Sequence, residues 1–165
     1  MSGERHHPRV LIVDDEPDVL AMIAEILGDH GLEVVMASGG LAALREAARE
    51  HFDLCVLDVT MPDMDGLEVC RRLRALPFTQ ALRVLFMTAH QDAQTIDAAF
   101  AAGGTDYLYK PVVPTLLWAR VNNVLRMAEL RRKADHVQEA LELLGMALHR
   151  SAPDGGRPGP PHSGP

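Results

Sequence analysis

Few polar residues of this chain could do chemistry together: an adjacent acidic pair, Asp14-Asp15, a third carboxylate at Asp58, a hydroxyl at Thr88 and an ammonium at Lys110. Three carboxylates brought close repel one another, and such a cluster is tolerated when a hard divalent cation takes oxygen ligands from it. Mg²⁺ suits that role, because it accepts a few carboxylates and keeps positions for water and a phosphoryl oxygen. Lys110 would then neutralise a second phosphoryl oxygen, and the Thr88 hydroxyl would donate to a third. A carboxylate in this setting can itself be the nucleophile and become an aspartyl phosphate. Asp58 is the best placed, since the run from Asp58 to Gly66 leaves through Pro62 and closes on Gly66. Such punctuation holds a loop against a site.

The apolar pattern explains how residues so far apart meet. Residues 9–13 form a run too short and β-branched for a helix and suited to a buried strand, which stops at Asp14. From Pro17 to Asp29, Val19, Leu20, Ile23, Ile26 and Leu27 share one helical face, with proline in the first turn where its missing N–H is harmless. The alternation repeats, with strands expected at 33–36, 53–57, 83–87 and 105–108. Helices are expected at 40–50, 67–74 and 92–102, and a last one from Pro114. Strands alternating with helices across short connections imply a doubly wound α/β fold, a five-stranded parallel sheet covered on both faces by right-handed crossovers. Ligands of such sheets bind beyond the carboxyl ends of the strands. There the first strand ends in Asp14-Asp15, the third in Asp58 and the fourth in Thr88, and Lys110-Pro111 follows the fifth.

Composition excludes other classes. The chain has 165 residues, of which 47% are hydrophobic and 24% charged. That is enough for one core, near the prior of about 150 residues per domain. The net charge of −7 disfavours nucleic acid as a partner. Residues 1–110 carry 9 basic and 18 acidic side chains and 111–150 carry 6 and 4, so the chemistry belongs to the acidic part. Cys55 and Cys70 have no metal-ligand spacing and read as small core residues of a reducing compartment. No apolar run reaches the ~20 residues of a membrane span, so a cytoplasmic protein without membrane contact is expected.

These residues resemble the receiver domain of bacterial two-component response regulators. The resemblance rests on Asp14-Asp15, on Asp58 followed by the loop Met61-Pro62-Asp63-Met64-Asp65-Gly66, on Thr88-Ala89 and on Lys110-Pro111. It covers residues 8–130 and implies that Asp58 accepts a phosphoryl group from a histidine kinase or phosphotransfer protein. By the same resemblance, Asp15, Asp58 and the main-chain carbonyl of Thr60 ligate Mg²⁺ and Asp14 holds a metal-bound water. The Lys110-Pro111 bond is expected to be cis, which would aim the ammonium. Thr88 and Tyr107 occupy the family's switch positions, where phosphoryl contacts made in only one of two states bias the face of the fourth helix, fifth strand and fifth helix toward a downstream protein. The chain would assist its own phosphorylation and dephosphorylation without being an enzyme.

From Pro114 no proline interrupts the chain before Arg150. That stretch far exceeds the ~11 residues of a mean helix. Leu117, Val121, Val124, Leu125 and Ala128 have the spacing of a helix packed on the sheet. Met127, Leu130, Ala134, Val137, Leu141, Leu144 and Leu148 alternate by 3 and 4, as in a coiled-coil seam, and suggest a homodimer. The expected organisation is thus an N-terminal arm 1–7, the receiver 8–130, a helical extension 131–150 and a disordered Pro/Gly tail 151–165, with no output domain. Two other readings compete. A phosphohydrolase of the haloacid dehalogenase type needs a second aspartate two positions after the nucleophile, and Thr60 stands there. A receiver-derived dimerisation scaffold acting without phosphorylation would have no need of intact Asp15, Asp58 and Lys110.

Overall fold

A computed structural model describes residues 7–150. The expected tail at 151–165 and residues 1–6 of the arm lie outside the described residues; His7, the last of the arm, places Nδ1 3.1 Å from the Gly31 carbonyl oxygen. Strands and helices alternate in the order β1 (Arg9–Val13), α1 (Pro17–Asp29), β2 (Glu33–Ala37), α2 (Gly40–Arg49), β3 (Leu54–Asp58), α3 (Gly66–Ala75), β4 (Arg83–Thr88), α4 (Ala93–Ala101), β5 (Asp106–Tyr109) and α5 (Pro114–Arg150). All strand pairs are parallel and the sheet order is β2-β1-β3-β4-β5, so the chain reverses direction across the sheet between β1 and β3. That reversal opens the crevice at the strands' carboxyl ends.

The central strands are buried on both faces, which is why their sequences are unbroken apolar runs rather than alternating ones. Alternate residues of each strand feed two cores. Leu11, Cys55, Leu57, Val84 and Phe86 pack against α2, α3 and Ala99 of α4, and Val10, Ile12, Leu54, Val56, Leu85 and Met87 pack against α1 and the first turns of α5. Burying one such Leu or Ile side chain contributes roughly 1.5–3 kcal/mol. Cys55 and Cys70 are free and buried.

Several element ends differ from the expected ones by one residue, and at β3 the reason is local. β3 begins at Leu54, because the Asp53 carboxylate accepts a hydrogen bond from Arg9 N while the Asp53 N–H donates to the Arg9 carbonyl. It ends on Asp58, whose register partner is Met87 of β4. Glycine serves where α1 turns into β2, at Gly31 with φ 80°, and after α4, at Gly103 with φ 102°. Both angles lie in the left-handed region that glycine enters without steric cost.

The chain divides after Ala128 into two units. The first holds the sheet and its helices. The described part of the second is the continuation of α5 from Glu129 to Arg150, every residue of it exposed. No helix among the described residues is long and apolar enough to cross a membrane.

Candidate functional site

β1 ends in hydrophobic surroundings and delivers Asp14 into the crevice fully buried, while Asp15 is exposed at the rim. A buried carboxylate needs partners. Asp14 Oδ1 accepts from the Glu16 N–H at 2.9 Å, and Oδ2 accepts from Lys110 Nζ at 2.8 Å. Next door on β3, Asp58 is buried; Oδ1 accepts from the Thr60 N–H at 3.2 Å and Oδ2 lies 3.2 Å from Lys110 Nζ. Carboxylate oxygens of Asp14, Asp15 and Asp58 all lie within 4.8 Å of one another. Sequence separation has been converted into one site by the parallel order β1-β3-β4-β5.

Burial pushes the Asp58 carboxyl above the usual carboxylate range, and the Asp14 charge adds to the rise; Lys110 and the Thr60 N–H pull it back only in part. For Lys110 burial opposes the charge, yet the hydrogen bond to Asp14 and the charges of Asp58 and Asp14 outweigh it, so the ammonium stays charged beyond its ordinary range.

The Lys110 N–H donates to the Thr88 carbonyl at 2.8 Å, and the Lys110-Pro111 peptide bond is cis. Thr88, buried at the end of β4, turns its hydroxyl to accept from the His90 N–H at 3.0 Å. Tyr107 is half-buried on β5, edge-on to Phe100 at 5.9 Å and to Tyr109 at 5.3 Å between ring centres. The structure therefore brings Asp14, Asp15, Asp58 and Lys110 into one cluster, sets Thr88 on the strand beside Asp58, and puts Tyr107 in an aromatic group rather than among the charges.

The loop after β3 is anchored along its length. The Val59 N–H donates to the Met87 carbonyl and the Gly66 N–H to the Val59 carbonyl. Asp65 caps α3 through the Glu68 N–H at 2.8 Å, and Asp63 reaches back to accept from the Gly40 and Leu41 N–H groups at the start of α2. A Cβ at Gly66 would lie 2.1 Å from the Asp58 carbonyl oxygen, so only glycine lets this helix begin there. The loop and α4 border an open cavity of about 450 Å³ whose lining includes Thr60, Met61, His90 and Thr95.

Sequence reasoning missed Glu16, whose Oε1 lies 3.7 Å from Lys110 Nζ, and the capping role of Asp63. Only the adjacency of Glu16 to the acidic pair signals it. Nothing local signals Asp63, whose partners are more than twenty positions away. The N-cap of α1 is Glu16.

The family model of the response regulator receiver domain matches residues 10–122. This chain belongs to that family. The receiver is 38% identical over 135 residues to the response regulator MprA of Mycobacterium leprae, covering 82% of this chain and 57% of that protein. It is 42% identical over 119 residues to the transcriptional regulatory protein PrrA of Mycobacterium bovis, covering 72% and 50%. The chain thus spans about half the length of these relatives. The solved chemotaxis protein CheY4 of Vibrio cholerae superposes with a TM-score of 0.69 at 31% identity, covering 72% of this chain and 98% of that one.

The receiver's acidic pocket fits a divalent cation. Its donors are all hard carboxylate oxygens, and three carboxylates with one ammonium leave a formal charge of −2. Asp15 at the rim leaves one side of the cluster open to water and ligand.

Proposed function

We propose that the chain is a phosphorelay receiver that takes a phosphoryl group onto Asp58 from a histidine kinase or phosphotransfer protein. Asp15, Asp58 and the Thr60 main-chain carbonyl would hold Mg²⁺ directly and Asp14 through a water. When bound, the cation supplies positive charge to the phosphoryl oxygens. An Asp58 carboxylate oxygen attacks phosphorus, a P–O bond forms, and the P–N bond to the donor's imidazole breaks. In the later discharge, a water oxygen attacks phosphorus, the P–O bond to Asp58 breaks, inorganic phosphate leaves, the water's proton passes to solvent and the Asp58 carboxylate returns. The chain's own contribution is positional: Lys110 Nζ, already at the two buried carboxylates, offers the charge that a phosphoryl oxygen on Asp58 needs.

The observation that carries the reading is the contact of Lys110 with both Asp14 and Asp58 inside a cluster of three carboxylates. The catalytic set is accordingly Asp58, Thr88 and Lys110. Thr88 and Tyr107 form the switch, since the Thr88 hydroxyl donates only a long 3.4 Å hydrogen bond to the His90 carbonyl oxygen and can turn to donate to a phosphoryl oxygen instead. That turn frees space toward Tyr107 and changes the α4-β5-α5 face for a downstream protein. The compartment of this exchange is the cytoplasm, where the phosphodonor meets the receiver. In this organisation residues 8–130 are the receiver unit and 131–150 its helical extension.

The test is incubation with Mg²⁺ and acetyl phosphate followed by intact mass measurement. The wild type gains one phosphoryl group and Asp58→Asn gains none. Equal modification of both proteins rejects Asp58 as the acceptor.

A further inference from the structure

Helix α5 carries two apolar stripes with different fates. Leu117, Val121 and Val124 are buried against the sheet, and beyond Ala128 the positions that prolong their stripe, Arg131, Asp135, Gln138 and Glu142, are polar. The second stripe lies one residue away, about 100° around the helix. It runs through Leu130, Ala134, Val137, Leu141, Leu144 and Leu148 at steps of 4 and 3, the spacing of a coiled-coil seam. Its large members are 59–73% exposed, whereas the leucines of the central strands are fully covered.

Charge along this segment is sorted by position. Residues 126–133 hold Arg126, Arg131, Arg132 and Lys133 against Glu129, a net of +3. Residues 135–142 hold Asp135, Glu139 and Glu142 with no Lys or Arg, a net of −3. Two such helices laid parallel set +3 beside +3 and −3 beside −3, and bring Arg126, flanking the seam, to Arg131 of the second copy. Laid antiparallel, each basic stretch lies along an acidic one, twice per pair.

We propose that residues 130–142 form a self-association surface whose occupant is a second copy of this chain docked antiparallel. In that arrangement Leu130 packs on Leu141 of the second copy, Ala134 on Val137 of it, and Arg131 approaches its Glu142. The ion pair Lys133–Glu129 at 2.7 Å and the hydrogen bond from Gln138 to Glu142 at 3.1 Å run along a single helix. Such pairs support the helix without fixing a partner.

Sedimentation of the full chain at low salt tests this. The wild type sediments as a concentration-dependent dimer, and Leu141→Asp sediments as a monomer with unchanged helical content. Arg131→Glu and Glu142→Arg each weaken the dimer several-fold, and the double variant regains wild-type affinity. Because the two positions are roughly 16 Å apart along one helix, such rescue reports a contact between copies. Oxidation supplies the orientation: with Cys55 and Cys70 buried, Leu130→Cys chains cross-link to Leu141→Cys chains and not to themselves. A monomer at every concentration, additive charge variants, or self-cross-linking of Leu130→Cys overturns the proposal. If Leu141→Asp does not fold, the charge swap decides.

Discussion

Asp58 is held in a state that disfavours its own charge, and this has a sign that can be measured. Its folded carboxyl titrates above the unfolded value, so the folded protein binds more protons across that window. Its contribution to stability is present below the unfolded pKa and is lost as pH rises through the folded one. In metal-free solution at neutral pH, Asp58→Asn should therefore stabilise the fold by on the order of 1 kcal/mol, the size of other relaxed functional strains. Urea midpoints of the two proteins across pH check it; a destabilised variant would show that Lys110 dominates after all. Lys110→Met should act in the opposite direction in the absence of divalent cation, because it leaves two buried carboxylates without their ammonium. Added Mg²⁺ should narrow the deficit, which the same titration reads as a larger metal-dependent shift than in the wild type. At Gly66 a new Cβ would meet the Asp58 carbonyl oxygen. Gly66→Ala should therefore cost about 2 kcal/mol, within the range of forced overpacking. A midpoint unchanged by that substitution would mean the loop yields freely.

At the level of elements, the strands and their polar ends were readable because a parallel strand covered on both faces is a bare apolar run that stops where the chain leaves the two apolar cores for the polar crevice. Asp14, Asp58 and Thr88 mark such stops. Contacts between elements were not readable. The stack of His30 on Trp118 at 3.8 Å between ring centres joins the end of α1 to α5, and neither residue lies on a periodic pattern that would pair them. Asp63 is the same kind of case: it caps α2 from the loop after β3, where a local reading sees only an exposed loop acid. Hydrogen bonds from the Leu41 and Gly40 N–H groups hold its carboxyl below the usual range. Stability from this cap is thus present above the unfolded pKa and lost as pH falls through the folded one. Asp63→Ala should cost about 1 kcal/mol at neutral pH, as a lost helix cap does, and progressively less as the wild type is acidified. A deficit that does not shrink on acidification would assign the effect to something other than the carboxylate.

For the whole molecule, sheet order was the step the sequence left open: alternation implies parallel strands but not which strands are neighbours. The order β2-β1-β3-β4-β5 is what sets β1 beside β3 and brings Lys110, after β5, across to Asp14. Convergence of residues from four strand ends could be inferred from the rule that open sheets bind ligands at their carboxyl edge, yet their distances depend on packing in both cores. The proposed function makes this edge one site, acting on phosphoryl chemistry and read out at β5. The most direct measurement is an amide chemical-shift map on adding Mg²⁺ with beryllofluoride, a mimic of the acyl phosphate. We expect the shifts to centre on Asp14, Asp15, Asp58 to Thr60, Thr88 to His90 and Lys110, to extend to Tyr107, and to vanish in Asp58→Asn. Shifts centred elsewhere, or persisting in that variant, would show that the phosphoryl site is not at Asp58.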